Sequence, residues 1–563
     1  MTSPGSRRSP PASGARRKGR KNRRHQGAAV WSVVEAGELQ ALRQAIGARV
    51  GPETQPLESY RREYERTTTG PVQPIAIAEV IEAAATADCV LIGDYHTLAA
   101  AQRAALALAR ILLKKRGRLV LGLEMVRTEH QHVLDAYVEG QVGDPALRNL
   151  IGYDARWPFA WSSYRLLLEF GRQSGVRLLA LDGRGGLEAR DGRAADRLAA
   201  SRASDPEVLH LALVGDLHLA PAHLPALLAA RRPDDRLAVI HQNIPAVYAE
   251  LAGLGTHERV LAAELKGAEC GGHYCLITAT PLGRERSYLA WLDGADDEDA
   301  LDPLDELGRI VDRLAALLEV PALAVSIRGV EVVVRGAAGF LRDLEARGMT
   351  FARLVGIRRQ IVERGVAVAG PAGPVYIGRP DAQHFAAAAA GLLQARAGEP
   401  PLTPERQDAR WREADLLACV RREAFAVLAW RLVEPLAGML EEEPFAVAFD
   451  PAAGPPPVSS QVRVDRRARA LRARIAAHLS GRRRFAVPPP IVAEPAPLRA
   501  AVARAAGAHY ADGVRDALLS GQATPAAVAE LLAPPGPAGR PRERRAVLAL
   551  AALARAGRRP ANP

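Results

Sequence analysis

Two stretches of this chain carry the same potential chemistry. Val90-Leu91-Ile92-Gly93-Asp94-Tyr95-His96 returns later as Leu213-Val214-Gly215-Asp216-Leu217-His218, each an apolar run closed by Gly-Asp-x-His. A short apolar run bounded by glycine reads as a buried strand, so each copy sets an aspartate and a histidine just past a strand's C-terminal end. That edge is where open α/β sheets bind their ligands. In extended backbone, residues two apart project to one side, so Asp94 and His96 are expected to face together, as are Asp216 and His218.

Glu124 closes a third apolar run, Leu121-Gly122-Leu123-Glu124-Met125, and a carboxylate there is poorly placed unless it is solvated or liganded. If the three strand ends converge, His96, Glu124 and His218 offer two imidazoles and a carboxylate. Asp94 and Asp216 are then further ligands, or acceptors that fix the histidine tautomers. Such a set suits a divalent first-row metal, Fe, Mn, Co or Zn, and a metal with open positions activates water. His96, Glu124 and His218 would then be the catalytic residues of a metal-dependent hydrolase. One Gly-Asp-x-His alone reads better as a helix cap; two copies with a strand-end glutamate favour a site.

These paired motifs, the glutamate in Gly122-Leu123-Glu124-Met125, and Trp161-Ser162-Ser163-Tyr164 with Leu167-Leu168-Glu169-Phe170 resemble the ChaN-type haem-binding family. Its superfamily includes the TIKI/TraB proteins and, more distantly, the erythromycin esterases. The resemblance spans roughly residues 75–295, and where family members usually begin the first motif Gly-Glu this chain has Gly93-Asp94. It implies a haem- or iron-binding protein with a crevice at the strand ends. The superfamily's metal-dependent hydrolases give the alternative, and an interaction protein with a vestigial site is a third expectation.

Haem requires an axial ligand and an apolar slot. Tyr95, Tyr153, His130 and His132 lie in or near predicted strand-end loops and are candidates for the ligand, although His130 and His132 also read as solvated surface residues. Trp157, Phe159 and Trp161 form a local aromatic cluster able to cover a porphyrin face, or simply to pack under a loop. Arg156 suits a propionate, and His241, at the end of another predicted strand, is expected to line the site.

The elements that must position these residues follow a β-α-β-α rhythm from residue 89. Strands are expected at Cys89–Gly93, Leu119–Glu124, Val176–Asp182, Leu209–Gly215, Leu237–His241, Arg259–Leu265 and Tyr274–Ala279, with helices between them. The fold class is therefore α/β, a mostly parallel sheet with helices on both faces, followed by a mainly helical C-terminal region. Leu323–Arg335 alternates as a hairpin would.

The chain of 563 residues divides into a disordered basic tail (1–30), the ChaN-like α/β domain (31–295), a mainly helical domain with a small hairpin (300–448) and a helical Arg/Ala-rich region (458–563). The acidic stretch Gly294–Asp305 and the Pro-rich linker at 451–457 mark the boundaries. A net charge of +12 looks like a nucleic-acid signal until it is located. Nine uncompensated Arg and Lys lie in residues 1–30, leaving the rest nearly neutral. That tail is the part expected to touch nucleic acid or anionic lipid weakly.

No long apolar run predicts a transmembrane segment, and no signal peptide or lipobox is evident. The four cysteines are scattered as reduced thiols would be. Cys270 and Cys275, flanking His273, lack the second pair that a zinc knuckle needs. The expected location is the cytoplasm.

Overall fold

The computed structural model describes residues 37–51, 54–253, 262–265, 271–294, 303–320, 327, 329–399, 413–433, 436, 496–533 and 540–557. The basic tail, Cys270, most of the acidic stretch and the 451–457 linker lie outside these residues.

Helix α1 (37–50) and helix α2 (Gln55–Thr68) precede an eight-stranded sheet. In chain order its strands are β1 (Val72–Pro74), β2 (Cys89–Asp94), β3 (Leu119–Arg127), β4 (Arg177–Asp182), β5 (Leu209–Gly215), β6 (Leu237–Gln242), β7 (Ala262–Leu265) and β8 (Gly272–Leu276). In space the order is β1-β7-β8-β6-β2-β5-β3-β4. The run from β8 to β4 is parallel throughout, and β7 and β1 close the edge antiparallel.

The central strands are apolar on both sides because both sides are covered. Val90 and Ile92 face helices α3 (Ile77–Thr86), α4 (Ala99–Arg116) and α8 (Trp161–Ser174), whereas Cys89 and Leu91 face α2, α9 (Leu187–Ser204) and α10 (Leu224–Arg231). All six residues of β2 are buried, and full burial of an aliphatic side chain contributes about 1.5–3 kcal/mol. β2 sits mid-sheet beside β5, with Gly93 opposite Val214 and Asp94 opposite Gly215. The two Gly-Asp-x-His copies are thus neighbours in one ladder.

The C-terminal half is helical around a small sheet. Of the expected hairpin, residues 327 and 329–335 are described, and their strand Val332–Val334 pairs not within the hairpin but in parallel with Val375–Ile377, which pairs antiparallel with Val366–Val368. Helices Pro303–Leu317, Ala382–Arg396, Glu413–Val433, Ala496–Leu519 and Arg540–Gly557 share one hydrophobic core. Within it Arg421 is fully buried, bonded to Glu399 at 2.5 Å, Glu543 at 3.0 Å and the carbonyl oxygens of Leu531 and Leu532. Among the described residues no helix is long and apolar enough to cross a membrane.

Candidate functional site

The C-terminal ends of β2, β3 and β5 bring Asp94, His96, Glu124, Asp216 and His218 into one buried polar cluster. The first copy of the motif is self-contained. His96 Nδ1 lies 3.0 Å from Asp94 Oδ2, and the same carboxylate accepts from Tyr164 Oη at 2.6 Å and Gln102 Nε2 at 2.5 Å. In the neutral ring, with Nδ1–H spent on Asp94, Nε2 is the lone-pair nitrogen. Burial by itself would lower the His96 pKa, but the charge and hydrogen bond of Asp94 raise it.

The second copy is built differently. Asp216–Leu219 forms a 3-10 turn rather than extended chain, so Asp216 and His218 diverge, and the expectation that they face together fails. His218 Nδ1 meets Asp191 Oδ1 of α9 at 2.5 Å, and its Nε2 lies 3.3 Å from Glu124 Oε1. Burial opposes the charged ring, yet the two carboxylates push its pKa up to about 10, which makes it an imidazolium at neutral pH.

Asp216 instead faces Arg284 Nη2 at 3.3 Å, from helix α12 (Pro281–Leu292). Both of its oxygens are buried without a hydrogen bond. Burial pushes its pKa up to about 6, with the Arg284 charge opposing the rise and Asp94 adding to it. Neither motif aspartate caps the helix that follows it.

Glu124 is saturated with donors. Oε2 accepts from Gly215 N at 2.5 Å, while Oε1 meets Arg190 Nη2 at 2.6 Å as well as His218. Burial would raise this carboxyl, but the charges of His218, His96 and Arg190 hold it well below the usual range. Arg190 also binds Asp182 at 2.7 Å, and Asp191 accepts from Tyr60 Oη at 3.1 Å.

His96 is the part of the cluster that opens outward, its side chain 24% exposed. Trp157 and Phe159 flank it, each with its ring centroid 4.7 Å from the imidazole. Trp291 continues this wall, 5.3 Å from Phe159. The expected aromatic cluster is therefore divided. Trp161 turns into the core, 4.8 Å from Tyr153 and edge-on to it.

Other expected residues lie elsewhere. Tyr153 is buried and donates its hydroxyl to Phe159 O at 3.0 Å. Tyr95 lies under the Arg284 guanidinium, 4.0 Å away, its hydroxyl 3.5 Å from Glu285. Arg156 reaches back to Gly152 O at 3.4 Å. His241 contacts His273 and Tyr64 rather than His96, Glu124 or His218, and burial lowers its pKa well below the ordinary value. His130 stands beside Glu129, partly exposed.

Several partners have no sequence signature. Arg190 and Asp191 sit in Leu187-Glu188-Ala189-Arg190-Asp191, which reads as a solvated helix face. Gln102 hides in an Ala-rich helix. Only the long-range packing of α4, α9 and α12 against the strand ends reveals them.

Imidazoles and carboxylates thus gather at the C-terminal edge of a parallel α/β sheet, the edge at which open sheets of this kind bind their ligands. Residues 80–186, which include the first motif, Glu124, Trp157 and Phe159, match the family described as haem-binding uptake, Tiki superfamily, ChaN. Among solved structures the chain is similar to one titled "Cofacial heme binding to ChaN of Campylobacter jejuni", at 15% identity and a TM-score of 0.24. That similarity covers 31% of this chain and 88% of the other. No curated protein matches.

The donors present meet the requirements of a haem in kind. His96 Nε2 belongs to an imidazole oriented by a carboxylate, beside an apolar aromatic wall. The buried, bonded Tyr153 hydroxyl does not meet them. For a bare divalent ion, no group of three or more His, Cys, Asp and Glu residues is arranged to hold one among the described residues.

Proposed function

We propose that this chain binds haem at the strand-end crevice, with His96 Nε2 as the protein ligand and Trp157 and Phe159 as the apolar wall. The observation that carries this reading is the Asp94–His96 pair. Asp94 is fixed by Tyr164 and Gln102, so it holds the imidazole in one tautomer and leaves Nε2 of this partly exposed side chain outside that bond. Bound haem would supply an iron centre for ligand exchange or electron transfer; the protein supplies the nitrogen, the wall and the exclusion of water. Hemin titration of the purified chain should give a saturable Soret band that His96→Ala shifts or abolishes. A titration that behaves as hemin in buffer would sink the reading.

A second reading rests on the same pair. His96 Nε2 and Glu124 Oε2 both approach Gly215, lying 3.1 and 3.4 Å from where a Cβ would stand. An imidazole oriented by a carboxylate can take a proton from water, a metal-free hydrolysis that differs from the metal-dependent hydrolase expected from the sequence. Release of p-nitrophenol from short esters, lost in His96→Ala, would favour it; a rate equal to that of the variant would end it.

A further inference from the structure

Helix α12 is not packed like a core helix. None of its residues is buried, yet Arg284, Ser287, Tyr288 and Trp291, spaced as one helical face, meet Asp216, Thr97, Tyr95 and Phe159 around His96. Ser287 Oγ lies 3.1 Å from Thr97 Oγ1, the residue after His96. Tyr288 stands 6.1 Å from Tyr95, and Trp291 covers Phe159 while donating Nε1–H to Pro158 O at 2.6 Å.

The hold on this helix is uneven along its length. At the N-terminal end Thr280 caps the first turn by accepting from Gly283 N. There the Arg284 side chain, 13% exposed, meets Asp216 and donates to Asn243 O at 3.1 Å. The C-terminal end reaches the crevice through Tyr288 and Trp291, neither of them buried, and runs out at Gly294 in a left-handed conformation, φ +74°.

The outer side is strapped to α1 by three ion pairs: Arg43 with Glu285, Arg49 with Asp293, and Glu38 with Arg286. In each pair at least one partner is about half exposed, so salt screens all three.

We propose that α12 is a gate over the His96 side chain, pivoting at its Arg284 end, where the pairs of Glu285 and Arg286 also lie, and latched at its C-terminal end by the Arg49–Asp293 pair. Its inner residues Tyr288 and Trp291 extend the aromatic wall of Trp157 and Phe159, against which a planar aromatic ligand packs. The wall rests on the strand-end binding reading; the gate does not.

Amide hydrogen exchange on the full chain without ligand tests the gate. Exchange across 286–292 should rise about tenfold from low to high sodium chloride, and equally at low salt in the double variant Arg43→Glu, Arg49→Glu, while β2 and β5 stay unchanged. Salt-independent exchange as slow as in β2 overturns the gate. The wild-type salt series needs no substitution, so it decides the question even if the variant misfolds.

Stopped-flow mixing with hemin adds the access arm. Association should be several-fold faster in the double variant than in the wild type, and Trp291→Ala should speed dissociation. Faster exchange with an unchanged association rate means that α12 moves without controlling entry, which refutes the gate. If hemin leaves no Soret band at all, the haem reading and the wall fall, and the exchange result alone decides the gate.

Discussion

Asp94 stands opposite Gly215 in the ladder between β2 and β5, and this pairing explains the glycine in both copies of the motif. A Cβ on Gly215 would stand 3.1 Å from His96 Nε2, and a Cβ on Gly93 would stand 2.5 Å from Asp216 Oδ1. Each glycine leaves room for a polar side chain of the other copy.

Gly93→Ala should therefore displace Asp216 from Arg284 and destabilise the fold by roughly 1–3 kcal/mol, the usual cost of overpacking. Gly215→Ala should cost less, because the gap there is wider. Urea unfolding of both variants checks the order; equal stability of Gly93→Ala and wild type would contradict the crossed packing.

His218 should remain an imidazolium through pH 8, since Asp191 and Glu124 push its pKa up to about 10. Its folded value lies above the unfolded value near 6.5. The stabilisation it contributes is therefore complete below about pH 6.5 and is lost as pH rises toward 10. Ring nitrogen shifts in an NMR titration report this directly, and a midpoint near 6.5 would disprove it.

His210 should behave in the opposite sense. It is fully buried between Ser201 Oγ at 2.7 Å and Val208 O at 3.1 Å, and burial, as the largest cause, depresses its pKa to about 4. The unfolded chain takes up this proton first. Stability is therefore whole above about pH 6.5 and falls toward pH 4, by up to about 3 kcal/mol at roughly 1.4 kcal/mol per pH unit. The slope of stability against pH in this window should flatten in His210→Leu.

Asp94→Asn should lower the His96 titration midpoint, because that carboxylate's charge and hydrogen bond raise it against burial. The variant should also weaken hemin retention. Loss of a charged acceptor for Tyr164, Gln102 and His96 should destabilise the chain by roughly 1–3 kcal/mol. An unmoved His96 midpoint would show that Asp94 does not control the ring.

Glu399→Ala should be strongly destabilising although it lies in neither motif. Glu399 meets Arg421, Arg422 and Arg542, all buried or nearly so, and removing one partner from a buried ionic network costs about 3–5 kcal/mol. Thermal unfolding of the whole chain checks this; a shift of less than a degree or two would show that Glu543 alone satisfies Arg421.

The sequence by itself determined a mostly parallel sheet and the motif positions, because continuous apolar runs ended by Gly-Asp read as buried strands with their polar residues at the C-terminal end. It also marked His96, Glu124 and His218 as the residues that would meet. Tertiary structure decided what each of them does. Glu124 and His218 neutralise one another through Arg190 and Asp191, contributed by a helix whose charges look solvated in the sequence. Asp216 parts from His218 because a 3-10 turn, invisible in the motif, rotates it toward Arg284. His96, held by Asp94, is the most exposed of the three. Local pattern fixes which backbone segments are buried, but the partner of a buried charge is set by long-range packing, and a single sequence carries no local mark of it.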